Sequence, residues 1–171
     1  MTNEPVSVYL GLGSNLGDRQ KNLALALDYI SQRMRISKKS SIYDTAPVEN
    51  PDQPRFLNMV VEVETSLQPD KLLQLLKGIE AKMGRVPAKP NSPRPIDIDI
   101  LFFGDSIWNS PALVIPHPKI PQRAFVLVPL NEIAPILAHP VTKKKVREML
   151  KEINKGVQDV LKFEGEGPTD V

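Results

Sequence analysis

In the run Pro93-Arg94-Pro95-Ile96-Asp97-Ile98-Asp99-Ile100-Leu101-Phe102-Phe103, two aspartates stand two positions apart inside an otherwise apolar segment. Side chains of an extended strand alternate between its faces. Asp97 and Asp99 therefore project together from one face, and Ile96, Ile98 and Ile100 from the other. Aspartate is disfavoured in strands, and two like charges this close repel unless a cation lies between them. A pair of carboxylate oxygens is what Mg²⁺ accepts when phosphate oxygens help to complete its shell. Asp97 and Asp99 are thus candidate metal ligands. The competing reading, a solvent-facing strand, would carry Lys, Thr or Glu along more of its length.

Arg85, Lys89 and Arg94 precede this pair, and His117, Lys119 and Arg123 follow it. Guanidinium groups bind phosphate through paired, charge-assisted bonds. Carboxylates for a metal beside cations for phosphate are the parts of a phosphoryl-transfer site, where catalysis is positioning plus charge neutralisation. Taken singly, any of these bases could equally be a solubilising loop charge. Phe56 and Phe125 each sit beside a candidate active loop, as core residues or as stacking surfaces for a flat heterocycle. Gly11-Leu12-Gly13-Ser14-Asn15-Leu16-Gly17 is close to a dinucleotide fingerprint, but its last spacing is one residue too long and no βαβ unit follows. It reads as a strand-to-helix turn. His139 reads as structural, and Lys143-Lys144-Lys145 with Arg147, Lys151 and Lys155 as a solvated helix face.

The elements that must position these residues follow from periodicity. Val6 to Gly13 alternates like a strand, and Leu23, Leu27 and Ile30 recur at helical spacing over residues 18–34. Residues 35–43 read as a weak strand, and residues 44–55, with three prolines, as a loop. Phe56 to Thr65 alternates as a half-buried strand. Pro69 opens a second helix whose stripe runs from Leu72 to Met83, with Gly84 as its cap. A Pro-rich basic loop over residues 85–95 leads to a strand over Ile96 to Phe103. Leu113 to Ile115 reads as a short edge strand, Pro121 to Ala134 as partly helical, and Lys143 to Lys155 as a last basic helix. The order strand, helix, strand, strand, helix, strand is that of a ferredoxin-like βαββαβ core, an α+β fold with an antiparallel sheet. The extra C-terminal helices belong on its other face or edge, and long loops carry the site.

A chain of 171 residues has room for one domain. With 41% hydrophobic and 25% charged residues it has the balance of a globular protein. No apolar run approaches the ~20 residues a membrane helix needs, and Met1 to Ser7 lacks the regions of a signal peptide. A cytoplasmic protein is expected. The absence of cysteine removes disulfides, thiolate nucleophiles and Cys-based metal sites together, so any metal should be hard and oxygen-bound. The formal net charge is +2, and the last eight residues hold three acids and no base, so the body is more basic than the whole. That suits an anionic small molecule or a nucleic acid equally. Residues 1–163 are expected to form the domain and 164–171 a disordered acidic tail.

Several motifs agree in kind and order with one family. They are Gly11 to Gly17, Tyr43-Asp44-Thr45-Ala46-Pro47, Asp52-Gln53-Pro54-Arg55-Phe56-Leu57-Asn58, Ile79-Glu80 with Gly84-Arg85, Pro93-Arg94 with Asp97-Ile98-Asp99, and Pro116-His117-Pro118 followed by Arg123-Ala124-Phe125. In these the chain resembles 6-hydroxymethyl-7,8-dihydropterin pyrophosphokinase of folate biosynthesis, over roughly residues 6–155. The resemblance implies transfer of pyrophosphate from ATP to the pterin hydroxymethyl group, with release of AMP. It implies that Asp97 and Asp99 bind two Mg²⁺ ions bridging the ATP phosphates, and that Arg85 and Arg94 clamp the triphosphate as catalytic groups. Phe56 and Phe125 would sandwich the pterin, and Thr45, Val48 and Asn58 would hydrogen-bond its edge. His117 and Arg123 would hold ATP phosphates, with Glu80 supporting the metal and nucleotide site from behind. The implied partners are ATP and the pterin, without nucleic acid or membrane.

The chain departs from the family in places. Pro90-Asn91-Ser92 stands where Arg-Trp-Gly is common, Pro87 replaces a second loop arginine, and Ala112, Val114 and Pro118 stand for Arg, Thr and Tyr of some members. Two rival readings are another Mg²⁺-dependent nucleotide-using transferase and a non-catalytic nucleic-acid-binding module built on the last helix. The module would lack the aromatic stack such a surface needs.

Overall fold

The computed structural model describes residues 4–47, 52–85, 92–153 and 160–165. In chain order the elements are β1 (Val6–Ser14), α1 (Arg19–Ser31), β2 (Arg35–Lys39), β3 (Tyr43–Thr45), β4 (Phe56–Thr65), α2 (Pro69–Lys82), β5 (Asp97–Phe103), β6 (Trp108–Ser110), β7 (Leu113–Ile115), α3 (Ala124–Ile133), α4 (Val146–Glu152) and β8 (Val160–Lys162). The main sheet runs β5-β1-β4-β3-β8, with β2 also paired to β4, and every pairing is antiparallel. β6 and β7 form a separate hairpin.

The helix ends are where the chain chemistry sets them. Asp18 caps α1 by accepting from the Lys21 amide at 3.1 Å. Pro69 occupies the first turn of α2, and Gly84, at φ +93°, supplies the left-handed residue that ends it. One face of the sheet packs on α1 and α2 through Val8, Leu10, Leu12, Leu57, Val61, Ile98 and Ile100 against Leu23, Ile30, Leu72 and Leu76. The opposite face packs on α3 and α4 through Tyr9, Val60, Leu101 and Phe102 against Leu127, Leu130, Val146 and Met149. Burying each large aliphatic side chain contributes about 1.5–3 kcal/mol, and both faces carry such a core.

Two expectations change. The weak strand over residues 35–43 is two strands, β2 and β3, separated where the Ser40 hydroxyl takes the Val60 amide at 2.9 Å and interrupts the ladder. The last helix is shorter than residues 143–155. Lys143 has φ +66°, so the helix begins only at Val146. As the alternation predicts, Gly11 and Gly13 belong to β1, and Gly17, at φ +77°, makes the turn into α1. β8 had no signal in the sequence, being three residues with one apolar pair. Of the acidic tail, residues 166–171 lie outside the described residues.

Candidate active site

α3 and α4 cover only part of their sheet face, and the remainder is an open cleft of about 710 Å³. The alternation of β5 puts Asp97 and Asp99 on the cleft side while Ile98 and Ile100 are buried on the other. Across the ladder, Asp97 is opposite Gly13 and Asp99 opposite Gly11. The two glycines leave the floor bare in front of the acids. On the far side of β1, Gly13 is opposite Asn58. Phe56 and Asn58 therefore rise from β4 on the same face, and Thr45 of β3 pairs with Phe56. Asn58 donates from Nδ2 to the Thr45 hydroxyl at 2.7 Å, with both residues buried. Arg123 and Phe125, at the start of α3, close the other wall. Thr45, Phe56, Asn58, Arg94, Asp97, Asp99, Arg123 and Phe125 all line the cleft.

The two rings are each accompanied by a cation. The Arg94 guanidinium lies over the Phe56 ring at 5.2 Å and that of Arg123 over Phe125 at 5.3 Å. Arg94 also approaches Asp97, Nη2 to Oδ2 at 3.6 Å. Arg85 stands behind the cleft, donating from Nη1 to Asp97 Oδ1 at 2.8 Å and lying 3.2 Å from Glu80 Oε2. Burial alone would lower the Arg85 pKa, but the bond to Asp97 and the charges of Asp97, Glu80 and Asp99 hold it above its ordinary value. Glu80 is 5% exposed and does not line the cleft; its Oε2 accepts the Ile98 amide at 2.8 Å, which fixes β5 against α2. Burial raises the Glu80 pKa, only partly opposed by that amide and Arg85. His117 lies outside the lining residues too. Its amide bonds to the Leu101 carbonyl at 3.0 Å, and its Nδ1 accepts the Lys119 amide at 3.2 Å. Val48, Lys89, Pro90 and Asn91 lie outside the described residues.

Burial, then the charge of Asp97, pushes the Asp99 carboxyl up to about 7. Two carboxylates that resist joint ionisation are the donor set a divalent cation relieves. Among the described residues no three acidic or imidazole side chains gather round one point. The pair therefore fits a hard metal that takes its remaining oxygens from a bound phosphate and water.

Asn15 was missed as a functional residue by reasoning from the sequence. It is 2% exposed and ties the segment before β5 to the segment before β4. Its Oδ1 accepts the Arg94 amide at 2.8 Å, while its Nδ2 donates to Gln53 Oε1 at 3.0 Å and to the Pro54 carbonyl at 3.2 Å. The signal available was a buried amide directly after a strand, which turn chemistry alone does not separate from an ordinary turn asparagine.

Residues 9–135 match the family model described as 7,8-dihydro-6-hydroxymethylpterin-pyrophosphokinase (HPPK). The chain is 42% identical over 159 residues to "Folic acid synthesis protein fol1" of Pneumocystis carinii, covering 92% of this chain and 22% of that protein. It thus spans about a fifth of the fungal relatives it matches. It is 42% identical over 148 residues to "2-amino-4-hydroxy-6-hydroxymethyldihydropteridine pyrophosphokinase" of Methylorubrum extorquens, covering 85% of this chain and 92% of that one. Among solved structures, a Plasmodium falciparum HPPK-DHPS triple mutant with pteroate superposes with a TM-score of 0.71 at 20% identity, over 87% of this chain and 43% of that one. That likeness shows the α+β fold with its antiparallel sheet.

Proposed function

This chain belongs to the 7,8-dihydro-6-hydroxymethylpterin-pyrophosphokinase family, and we propose that it transfers pyrophosphate from ATP to the hydroxyl of 6-hydroxymethyl-7,8-dihydropterin. The bond that forms joins the pterin oxygen to the β-phosphorus. The bond that breaks joins the α–β bridging oxygen to the β-phosphorus, so AMP leaves and the hydroxyl proton is lost. The observation that carries the reading is one cleft whose lining includes Asp97 and Asp99, opposite Gly13 and Gly11 in the ladder, together with two rings, Phe56 and Phe125, that each hold an arginine.

Phe56 and Phe125 would hold the flat pterin between them, and Asn58 and Thr45 present hydrogen-bonding groups at its edge, which fixes orientation. Arg94 and Arg123, already at the cleft wall, would turn from the rings to the phosphates. Arg85, held by Asp97, would stabilise charge that develops during transfer. Asp97 and Asp99 would hold Mg²⁺, two ions with ATP, which supplies neutralisation of the phosphate charge. His117 would reach the nucleotide phosphates from beside β5, and Glu80 would keep Arg85 and β5 in register. Val48 is the remaining residue expected to contact the pterin edge.

The strand order β5-β1-β4-β2 with α1 and α2 on one face supports reading the core as ferredoxin-like. We take residues 1–163 to act as one domain. Among the described residues no helix is long and apolar enough to cross a membrane; a cytoplasmic setting, without nucleic acid, is part of the same proposal.

The test is to incubate the protein with ATP, Mg²⁺ and the pterin and to follow nucleotides by chromatography, with controls lacking pterin or containing EDTA. AMP that needs both pterin and metal is the expected result. ADP, or no turnover, would overturn the assignment.

A further inference from the structure

We propose that β8, which lies beyond the family-matched residues, positions Thr45 and so sets the affinity of the cleft for its heterocycle. The inference rests on the pterin reading of Thr45 given above. β3 is only three residues long, and a strand of that length is marginal without neighbours on its flanks. Its first residue and the segment before it have a second support, because Glu132 of α3 accepts from the Ser41 amide at 2.9 Å, the Ser41 hydroxyl at 2.8 Å and the Tyr43 hydroxyl at 2.8 Å. Thr45 is at the other end. There the backbone lies between Phe56 of β4 and Val160 of β8.

The contribution of β8 is in its backbone. Leu161, opposite Asp44, is 59% exposed. The Phe163 amide donates to the Ile42 carbonyl at 2.8 Å, and the Phe163 ring packs against the main core, which anchors the strand. The alternation of an antiparallel ladder makes Asp44 and Leu161 the next bonded pair after Ile42 and Phe163. Remove that pair and β3 becomes an edge at the point where Thr45 receives the Asn58 amide. Thr45 and Asn58 would then lose a fixed separation, while Asp97, Asp99 and Arg123, on other elements, would be undisturbed.

Leu161→Pro removes the amide at little side-chain cost, Leu161→Ala keeps it, and Phe163→Ala is a milder loosening of the same strand. Two measurements apply to the full chain: amide hydrogen exchange of residues 42–47, and steady-state AMP release with pterin and ATP varied separately. The expected result for Leu161→Pro is loss of protection in residues 42–47 and a pterin KM raised at least about fivefold. The ATP KM and kcat should stay within about twofold. Leu161→Ala should match the parent and Phe163→Ala fall between. Unchanged exchange in both weakened variants, or a pterin KM that does not follow lost protection, would overturn the proposal. If the parent releases no AMP, the pterin reading fails separately, and the exchange data still decide whether β8 holds Thr45.

Discussion

Gly13 and Asn58 face each other across β1 and β4 so closely that a methyl group on Gly13 would lie 2.5 Å from the Asn58 Oδ1. No real pair of atoms of this kind tolerates that distance, and Asn58 is already committed through Nδ2 to Thr45. The glycine therefore keeps the Asn58 amide in place rather than supplying backbone freedom.

Gly13→Ala should fold, because the clashing atom ends a side chain that can rotate, with a stability loss of about 1 kcal/mol at the low end of overpacking. Its pterin KM should rise about tenfold, equivalent to about 1.4 kcal/mol, with the ATP KM near that of the parent. Gly11→Ala, whose methyl would meet Leu101 at an ordinary 3.5 Å, should be milder. Steady-state kinetics on the two variants decide it. Equal effects would remove the special role of Gly13.

Asp99→Asn should separate activity from stability. Burial raises the folded-state pKa from the ordinary 3.8 to about 7, so the folded protein favours the protonated acid. Ionisation then opposes folding, from about pH 4 upward and fully above about pH 7. Without metal the variant should melt at least about 2 °C higher than the parent at pH 8, the shift expected from ~1 kcal/mol in a chain of this size, and at the same temperature at pH 4. Transfer activity should fall at least about 100-fold. Melting curves at the two pH values check the sign.

Glu80→Ala should destabilise by about 1–3 kcal/mol, because it leaves the buried Ile98 amide without its acceptor and Arg85 with one carboxylate fewer. Glu80→Gln, which can still accept, should lose clearly less. Urea unfolding of both would expose any error, since equal losses would mean that the charge alone matters.

His139 should shape the acid limb of stability. Its Nδ1 accepts the Val141 and Thr142 amides at 3.2 and 3.3 Å, its ring meets Phe102 edge-on at 5.9 Å, and burial lowers its pKa. A base whose folded pKa is depressed stabilises above its unfolded value, about 6.5, and that contribution fades as the pH falls. His139→Phe should thus cost more at pH 8 than at pH 5. The comparison of melting temperatures at those values would refute this if the gap widened in acid.

The acid pair was legible because both residues lie on one short stretch of strand. Period-two alternation carries Asp97 and Asp99 to one face whatever the rest of the chain does, and the helical stripes of α1 and α2 cover the other. What stayed hidden depends on partners distant in sequence. Gly11 and Gly13 read as part of a strand, but nothing local says that the sheet face beside the acids is left bare there. Asn15 joins residues 38 and 79 positions away. The three-residue β8 has too few residues for any period and exists only because β3 offers it an edge.

β5 carries one residue more than β1 between Phe102 and Ile100: Tyr9 is paired with Phe102 and Leu10 with Ile100, so Leu101 is the extra residue of a bulge. Leu101 and Phe102 consequently both face α3 and α4, on the side where the two acids stand. An extra residue at a fixed place acts as a detent in the ladder. Sliding β5 along β1 by two residues would preserve the pattern of faces in a regular pair, yet here it would have to carry the bulge along with it. The span from acids to glycine floor is therefore indexed mechanically, with Leu101 of the bulge itself beside Gly11 and in the cleft lining.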